Sequence, residues 1–207
     1  MWQINLNLRQ KIQKNPKSKI RALKAPKMVK KIKKVVLGVT GSIAAYKSGD
    51  IIRRLRDNGC DVTVIMTKEA EEFITPMTLA GLSGKQVYTR MFDNGQGAWS
   101  MPHIQLATDA DIILIAPATA NVIAKLAHGL ADDLLTCVAI TTKAPILVAP
   151  AMNTEMFENK IVQENCKKLR SLGFKFIEPA FGKLACGVIG MGHLAEVDEI
   201  VQAVEKI

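Results

Sequence analysis

The sequence predicts an α/β protein built on a doubly wound parallel sheet in a single domain. Short apolar segments rich in β-branched residues alternate along the chain with helical segments, which is the pattern of repeated βαβ units. The apolar segments do not alternate with polar residues, so helices should cover both faces of each strand. With 207 residues, 48% of them hydrophobic, the chain is long enough for one well-buried domain and short for two.

The positive charge of the chain is concentrated at its amino end. Residues 1–34 hold twelve of the 28 Lys and Arg residues and none of the 19 acids, so the rest of the chain is slightly acidic. We expect residues 1–33 to be a flexible, solvated basic extension or the product of an upstream start, with Met28 as the natural one. A targeting segment and a nucleic-acid-binding arm are the alternatives.

The sequence contains no segment that predicts an association with a membrane. The amino-terminal segment lacks the continuous apolar stretch of a secretory signal, and no later stretch is long enough to cross a bilayer. The four cysteines lie far apart and form no C-x-x-C pair, and the three histidines are scattered. These features favour a cytoplasmic protein with reduced thiols and without a structural zinc site.

The first βα unit contains a candidate anion site. Residues 34–40 are predicted to form a strand, and Gly41 and Ser42 turn the chain into a helix that runs from Ile43 to about Asp57. The free amides and the dipole of a helix amino end favour a bound anion. The alternative is an ordinary turn in which Ser42 caps the helix.

The second βα unit places Thr67 at the carboxyl end of a strand formed by residues 61–66. Its hydroxyl could contact a ligand phosphate or cap the helix that follows, and capping is the commoner use. Beyond it, we expect a short helix over residues 75–80, ended by Gly81 and Gly84, and a short strand over residues 86–91.

A histidine stands at the predicted start of the next helix. Residues 93–100 have the composition of a loop, Pro102 begins the helix, and His103 lies in its first turn. The positive end of the helix dipole favours a neutral imidazole that can accept a proton. The alternative is a surface histidine without a catalytic role.

Two later strands leave the sheet in the same way. Residues 111–115 run into Pro117, and residues 145–149 run into Pro150. Because proline cannot donate to a strand ladder, we expect both strands to end there and to form a crevice at their carboxyl ends. The remaining predicted elements are helices over residues 122–128, 130–142, 159–172 and 197–207 and a strand over residues 174–177.

Residues 182–192 contain four glycines and Cys186. A thiol in the core would be surrounded by branched side chains, whereas this segment is too rich in glycine to pack firmly. The composition favours a mobile flap that carries a reactive cysteine. An ordinary loop cysteine is the alternative.

Four motifs of this chain occur together in one family. The motifs are G-S-I-A at residues 41–44, P-A-T-A-N at 117–121, P-A-M-N-T-E-M at 150–156 and L-A-C-G at 184–187, with His103 between the first two. In these motifs the chain, from about residue 34 to residue 199, resembles the homo-oligomeric flavin-containing cysteine decarboxylases. The resemblance implies a flavodoxin-like, Rossmann-type subunit that binds FMN and assembles as a homotrimer or homododecamer.

The resemblance also implies a role for each matching residue. His103 and Cys186 would be catalytic, with Cys186 as the proton donor, and Asn153 and Met156 would bind the substrate. The residues implied to bind FMN are Gly41, Ser42, Ile43, Thr67, Pro117, Ala118, Thr119, Ala120 and Ala151. The chain departs from the family pattern at Phe157, commonly tryptophan, and at Val188 and His193, commonly aspartate and arginine. The last two changes could alter flap closure or substrate preference.

The implied reaction is decarboxylation of 4'-phospho-N-pantothenoylcysteine to 4'-phosphopantetheine in coenzyme A biosynthesis. The residue types suit it, because a neutral amide such as that of Asn153 orients a carboxylate without stabilising the ground state as an ion pair would. A thiol on a flap that excludes water is a suitable acid for the enethiolate that decarboxylation leaves. We expect a separate phosphopantothenate–cysteine ligase, on another chain, to supply the substrate.

Three other functions are compatible with the sequence. One is decarboxylation of the carboxy-terminal cysteine of a peptide, and another is flavin prenyl transfer, which would not need His103, Asn153 and Cys186 together. The third is a regulatory subunit that binds a flavin or a nucleotide without catalysis and uses the basic extension on an acidic partner.

Overall fold

The computed structural model describes residues 32–92, 101–183, 187 and 189–207, and the elements named below lie within them. The strands are β1 (Lys34–Val39), β2 (Asp61–Met66), β3 (Ile112–Ala118), β4 (Ile146–Pro150), β5 (Lys175–Phe176), β6 (Ala180–Lys183) and β7 (Ile189–His193). The α-helices are α1 (Ser48–Asp57), α2 (Pro76–Ser83), α3 (Pro102–Asp109), α4 (Ala120–His128), α5 (Leu134–Thr141), α6 (Thr154–Glu158), α7 (Lys160–Ser171) and α8 (Val197–Glu205). The first and second 3-10 helices are Ile43–Lys47 and Lys68–Glu72.

Strands β1 to β5 form a parallel sheet in the order β2-β1-β3-β4-β5. Strand β1 pairs on both sides, so that Val35 lies opposite Val62 in β2 and Ile112 in β3. This arrangement confirms the predicted doubly wound α/β fold. The chain reverses its direction across the sheet between β1 and β3, and sheets of this kind bind ligands at the carboxyl ends of the strands at that point.

The sheet separates two hydrophobic cores. Val35, Leu37 and Val39 of β1 pack in one core with apolar residues of α1, α2 and α8. Val36, between them, packs in the other core with residues of α3, α4, α5 and α7. Successive side chains of a strand point to opposite faces. The central strands β3 and β4 are therefore buried at every position, which explains why their sequences show no alternation.

Two helices begin differently from the sequence prediction. The predicted helix from Ile43 to Asp57 starts as the first 3-10 helix and becomes α-helical at Ser48. The predicted helix over residues 130–142 starts later, at Leu134, because Asp133 and Thr136 form a capping box. The Asp133 carboxylate accepts from the Thr136 amide at 2.8 Å, which fixes the first turn.

The prediction that both strands end at their prolines is confirmed for β4, which ends at Pro150, and is wrong for β3. Strand β3 continues through Pro117 to Ala118, which pairs with Pro150 after an irregularity in the register that begins at Ile115. A proline lacks the amide donor, but its carbonyl still accepts, so it is tolerated at the end of a strand. After β3, the chain therefore leaves the sheet one residue later than the sequence indicates.

The glycine-rich segment is bounded by strands. Strands β6 and β7 pair antiparallel, with Gly182 opposite Gly190, whereas the sequence predicted a loop over the whole segment. The prediction of a strand over residues 86–91 is also wrong, since Tyr88 makes a single parallel bridge to Ile65. The predicted loop at 93–100 lies outside the described residues.

Candidate functional site

A cavity of about 770 Å³ opens at the carboxyl edge of the parallel sheet. Its wall is formed by the turns that follow β1, β2, β3 and β4, together with the end of β7. Nine of the residues predicted for the site line it: Gly41, Ser42, Ile43, Thr67, Thr119, Ala120, Ala151, Asn153 and Met156. The volume is in the range of about 300–1,000 Å³ that is typical of small-molecule sites.

The turn after β1 is held by backbone and cap hydrogen bonds. The Ser42 amide donates to the Thr40 carbonyl at 2.8 Å, and the Ser42 hydroxyl accepts from the Ala44 amide at 3.3 Å. A Cβ atom at Gly41 would overlap the Cβ atom of Glu69, so the turn packs closely against the second 3-10 helix. Ser42 does cap its helix, and the amino end of that helix also faces the cavity.

Thr67 stands at the end of β2 with a hydroxyl that the fold does not use. The residue is 6% exposed, and its Oγ1 atom has no hydrogen-bond partner among the described residues. It makes no side-chain cap to the second 3-10 helix, so the capping alternative is wrong. A buried hydroxyl without a partner costs about 1–3 kcal/mol, and a ligand in the cavity could remove that cost.

The turn after β3 contributes half of the residues expected from it. Thr119 caps α4 by accepting from the Val122 amide at 3.4 Å, and both Thr119 and Ala120 line the cavity. Pro117 and Ala118 were predicted to face a cofactor too, but they are buried within β3 and do not line the cavity. The extension of β3 through the proline is the reason for this difference.

The turn after β4 contains the predicted substrate residues. The Asn153 side-chain oxygen accepts from the Glu155 amide at 2.8 Å, which fixes the carboxamide at the amino end of α6. Met156, one turn further on, is 48% exposed at the cavity. Ala151 is buried, and its amide donates to the Ala118 carbonyl at 3.0 Å, so this turn stays attached to β3.

Strand β7 packs directly on this turn. The Met152 amide donates to the Gly192 carbonyl at 3.0 Å, and a Cβ atom at Gly192 would overlap the Met152 carbonyl. A Cβ atom at Gly190 would overlap the Thr154 hydroxyl. The two glycines therefore allow β7 to lie against the residues on either side of Asn153. Cys186 itself lies outside the described residues, as does Val188.

His103 is not part of the cavity formed by this single chain. It is half-buried in the first turn of α3, and its Nδ1 atom is buried without a hydrogen-bond partner among the described residues. Helix α3 packs in one core through Leu106 and Ala107, whereas the first 3-10 helix packs in the other through Ala44 and Ala45. The described chain thus brings Thr67 and Asn153 to one site and leaves His103 outside it.

Several residues that the sequence analysis did not select also belong to the site. Lys47, Glu69 and His193 line the cavity, and His193 contacts the Leu194 carbonyl through Nδ1 at 3.1 Å. Thr40 lies beneath the wall, where its hydroxyl contacts both Pro117 and Thr119. For Thr40 the signal in the sequence was its position directly after an apolar strand, the same signal that selected Thr67. Lys47 and Glu69 carry no such signal, and His193 was noted only as a departure from the family pattern.

Two other cysteines have environments that oppose reactivity. Burial raises the pKa of the Cys166 thiol on α7, and burial also raises the pKa of the Cys137 thiol on α5. A raised pKa reduces the thiolate fraction, and the thiolate is the nucleophile.

Over residues 32–92, 101–183, 187 and 189–207, no group of His, Cys, Asp and Glu side chains could hold a metal ion. Within those same residues, no helix has the length and hydropathy needed to span a membrane.

The comparisons with known proteins agree on one family. The model of the Flavoprotein family matches residues 23–207. The coenzyme A biosynthesis bifunctional protein CoaBC of Vibrio vulnificus is 47% identical over 174 residues, which are 84% of this chain and 43% of that protein. The probable phosphopantothenoylcysteine decarboxylase of Streptococcus mutans is 46% identical over 176 residues, which are 84% of this chain and 98% of that protein. The chain therefore spans less than half the length of CoaBC.

Solved structures give the same result. A PPC decarboxylase mutant complexed with pantothenoylaminoethenethiol has a TM-score of 0.77 at 32% identity, with 84% of this chain and 97% of that chain covered. SpaF, described as an FMN-dependent cysteine decarboxylase, has a TM-score of 0.70 at 29% identity, with 84% of this chain and 98% of that chain covered. The family model extends over most of the sequence, and relatives share almost half of their aligned residues with it. The chain therefore belongs to the Flavoprotein family.

Proposed function

We propose that this chain catalyses the FMN-dependent decarboxylation of 4'-phospho-N-pantothenoylcysteine to 4'-phosphopantetheine, a step of coenzyme A biosynthesis. The observation that carries the proposal is the cavity at the sheet edge, which is lined by Gly41, Thr67 and Asn153. This cavity occurs in a chain that is 46% identical to a probable phosphopantothenoylcysteine decarboxylase across 98% of that protein.

The residues of the cavity fit FMN. The buried, unpartnered hydroxyl of Thr67 is suited to a phosphate oxygen, and it lies beside the amino end of the first 3-10 helix. The phosphate would be held by Gly41, Ser42, Ile43 and Thr67, and the flavin ring by Thr119, Ala120 and Ala151. Pro117 and Ala118 would support that wall from inside the sheet. When bound, FMN supplies the two-electron oxidation that creates an electron sink beside the substrate carboxylate.

Asn153 and Met156 would bind the cysteinyl end of the substrate. The cap that Asn153 forms with the Glu155 amide holds its carboxamide in one orientation at the cavity wall. A neutral amide can align the carboxylate without the ground-state stabilisation that an ion pair would bring. Met156 would contribute an apolar contact next to it.

Cys186 would donate the proton that completes the reaction. The support for this role comes from the strand that follows Cys186 in the sequence. Strand β7 begins three residues after Cys186 and packs on Met152 and Thr154 through Gly192 and Gly190, on either side of Asn153. A thiol that is enclosed near the substrate is a suitable acid for an enethiolate.

His103 would reach the cavity from an adjoining protomer of a homotrimer or homododecamer. In the single chain His103 does not line the cavity, and its Nδ1 atom is buried without a partner among the described residues. Met101 and Ile104 beside it are 65% and 46% exposed, and Ile43 and Met156 at the cavity are 57% and 48% exposed. Exposed apolar side chains around an incomplete site are typical of a protein–protein interface.

The first test is an assay of the purified protein. It should carry a visible flavin spectrum and release carbon dioxide from 4'-phospho-N-pantothenoylcysteine. Asn153→Asp should lower the rate about a hundredfold or more, since it places a like charge beside the substrate carboxylate. Asn159→Asp is the matched control, because Asn159 caps α7 through its side-chain oxygen at 2.9 Å and does not line the cavity. Full activity of Asn153→Asp, or a protein without flavin, would contradict the proposal.

The same assay distinguishes a second substrate. Cysteine decarboxylation of a peptide is favoured by the similarity to SpaF at a TM-score of 0.70. Carbon dioxide release from a peptide that ends in cysteine, without release from the pantothenoyl compound, would replace the proposed substrate and keep the chemistry. Cys186→Ser should lose product formation with either substrate.

The second test addresses the origin of His103. His103→Asn and Asn153→Asp should each be inactive when expressed alone. Co-expression of the two variants should restore part of the wild-type activity, because some sites of a mixed oligomer would combine an intact His103 from one protomer with an intact Asn153 from the next. Activity no higher than that of the single variants, in a protein that sediments as a monomer, would overturn this assignment.

A further inference from the structure

Thr40 makes two long-range hydrogen bonds through its side chain. Its hydroxyl donates to the Pro117 carbonyl at 2.7 Å and accepts from the Thr119 amide at 3.1 Å. The residue is 1% exposed, so these bonds are shielded from water. One hydroxyl group thus joins the end of β1 to the turn between β3 and α4.

These two hydrogen bonds lie where the pairing between β1 and β3 ends. The register of β1 with β3 runs from Val35 and Ile112 to Gly38 and Ile115, and it goes no further. Two residues later, where the backbone ladder would pair Thr40 with Pro117, the proline has no amide to donate. At that point the Thr40 hydroxyl joins the strands instead, by donating to the Pro117 carbonyl and accepting from the Thr119 amide. It therefore replaces the backbone ladder where the two strands begin to separate.

The two turns that Thr40 joins both line the cavity. Gly41 and Ser42 follow Thr40 directly and belong to the turn after β1, and Thr119 belongs to the turn after β3. We propose that Thr40 is a positioning residue for the cofactor, which sets the distance between the turn that would hold the FMN phosphate and the turn beside the flavin ring. The inference rests on the proposed function, since it assumes that FMN occupies this cavity.

The test compares FMN affinity with folding stability. Thr40→Val keeps the shape of the side chain and leaves the Pro117 carbonyl and the Thr119 amide without their partner. Thr40→Ser keeps the hydroxyl. Thr142→Val is the matched control, because the Thr142 hydroxyl also donates to a carbonyl, that of Ala107 at 2.8 Å, and accepts from an amide, that of Ala144 at 3.0 Å. Thr142 follows α5 and does not line the cavity.

The readouts are the Kd for FMN, measured by quenching of flavin fluorescence in the full-length protein after FMN removal, and urea unfolding without FMN. Thr40→Val should raise the Kd roughly tenfold or more, and Thr40→Ser should stay within about threefold of the wild type. Thr142→Val should lower the stability and leave the Kd unchanged. An unchanged Kd in Thr40→Val, or an equal rise in Thr142→Val, would overturn the inference.

Three outcomes complete the test. If Thr40→Val does not fold, Thr40→Cys is measured instead, because its thiol is a weaker hydrogen-bonding group. The Kd of Thr40→Cys for FMN should lie above that of Thr40→Ser. Equal values for the cysteine, serine and wild-type proteins would overturn the inference. A wild-type protein that binds no FMN would overturn the proposed function and this inference together. FMN binding that is normal in the wild type and in Thr40→Val would overturn the inference alone.

Discussion

Thr40 and Thr67 occupy equivalent positions in neighbouring strands, yet their hydroxyls have opposite uses. Each follows the last residue of its strand, and those last residues, Val39 and Met66, lie opposite each other in the sheet. Both threonines are buried, at 1% and 6% exposure. The Thr40 hydroxyl has two partners in the fold, whereas the Thr67 hydroxyl has none among the described residues.

This difference separates residues that build the cavity from residues that are available to a ligand. A side chain whose hydrogen bonds are all made within the protein contributes to stability first and to binding through geometry. A buried polar group without a partner lowers the stability of the free protein, and it recovers that cost when a ligand binds. The two classes should therefore respond differently when they are mutated.

The largest expected effect is that of Gly192→Ala, which should damage both folding and binding. Gly192 has φ of 130° and lies against the Met152 carbonyl, so a methyl group would be strained and would also push β7 away from the turn that carries Asn153. We expect a loss of about 2–4 kcal/mol in the free energy of unfolding, with a weaker affinity for FMN. Urea unfolding and FMN titration measure the two effects. Gly59→Ala also has a positive φ, of 80°, and no neighbour, so it is the control for strain alone.

Thr67→Val should have the opposite effect on stability. Replacement of an unpartnered buried hydroxyl by a methyl group should stabilise the FMN-free protein by about 1 kcal/mol. The same change should weaken FMN binding, so the rise in the melting temperature that FMN produces in the wild type should become smaller. Thermal unfolding with and without FMN tests both statements. If the variant is less stable than the wild type without FMN, Thr67 belongs with Thr40 and the distinction between them fails.

The smallest effect is expected at Lys125, which lies outside the cavity. Its ammonium group contacts the Asp132 carboxylate at 2.9 Å, and that hydrogen bond lowers the pKa of Asp132. A lowered pKa in the folded state contributes stability above the unfolded value of about 4, and this contribution is lost as the pH falls through the folded value. Lys125→Met should therefore be slightly less stable than the wild type at pH 7, and the difference should shrink in acid.

The FMN affinity of Lys125→Met should equal that of the wild type. Stability curves from urea unfolding between pH 7 and about pH 3 supply the measurement. A stability difference that grows as the pH falls would contradict the stabilising role of the Lys125–Asp132 ion pair. A change in the Kd for FMN would contradict its independence from the cavity.

The sequence was sufficient for the sheet and for most of the cavity wall. Uninterrupted apolar strands predict a sheet covered on both faces, and the residues directly after such strands predict the edge where ligands bind. Gly41 and Thr67 were found in this way, whereas Asn153 was selected through the resemblance to the cysteine decarboxylases. These predictions succeed because they depend on neighbours along the chain.

The features that the sequence did not predict depend on partners that are distant in the chain. The partner of Thr40 could not be known before β3 was placed beside β1, because 77 residues separate it from Pro117. The continuation of β3 through Pro117 depends on β4, which supplies Pro150 as the pairing residue for Ala118. Strands β6 and β7 could not be predicted either, because their segment is rich in glycine. Gly190 and Gly192 are needed there for the packing against Thr154 and Met152, which are distant in the sequence.

At the cavity, strand β3 is hydrogen-bonded differently to its two neighbours. Strands β3 and β4 remain hydrogen-bonded as far as the Ala151 amide, whereas the register of β1 with β3 ends at Gly38. Beyond it, the hydroxyls of Thr40 and Ser48 donate to the Pro117 and Ala116 carbonyls. We therefore expect any widening of the cavity to occur between β1 and β3, where side-chain hydrogen bonds replace the ladder. A molecule that enters by spreading the walls would displace the turn at Gly41 and leave Asn153 in place.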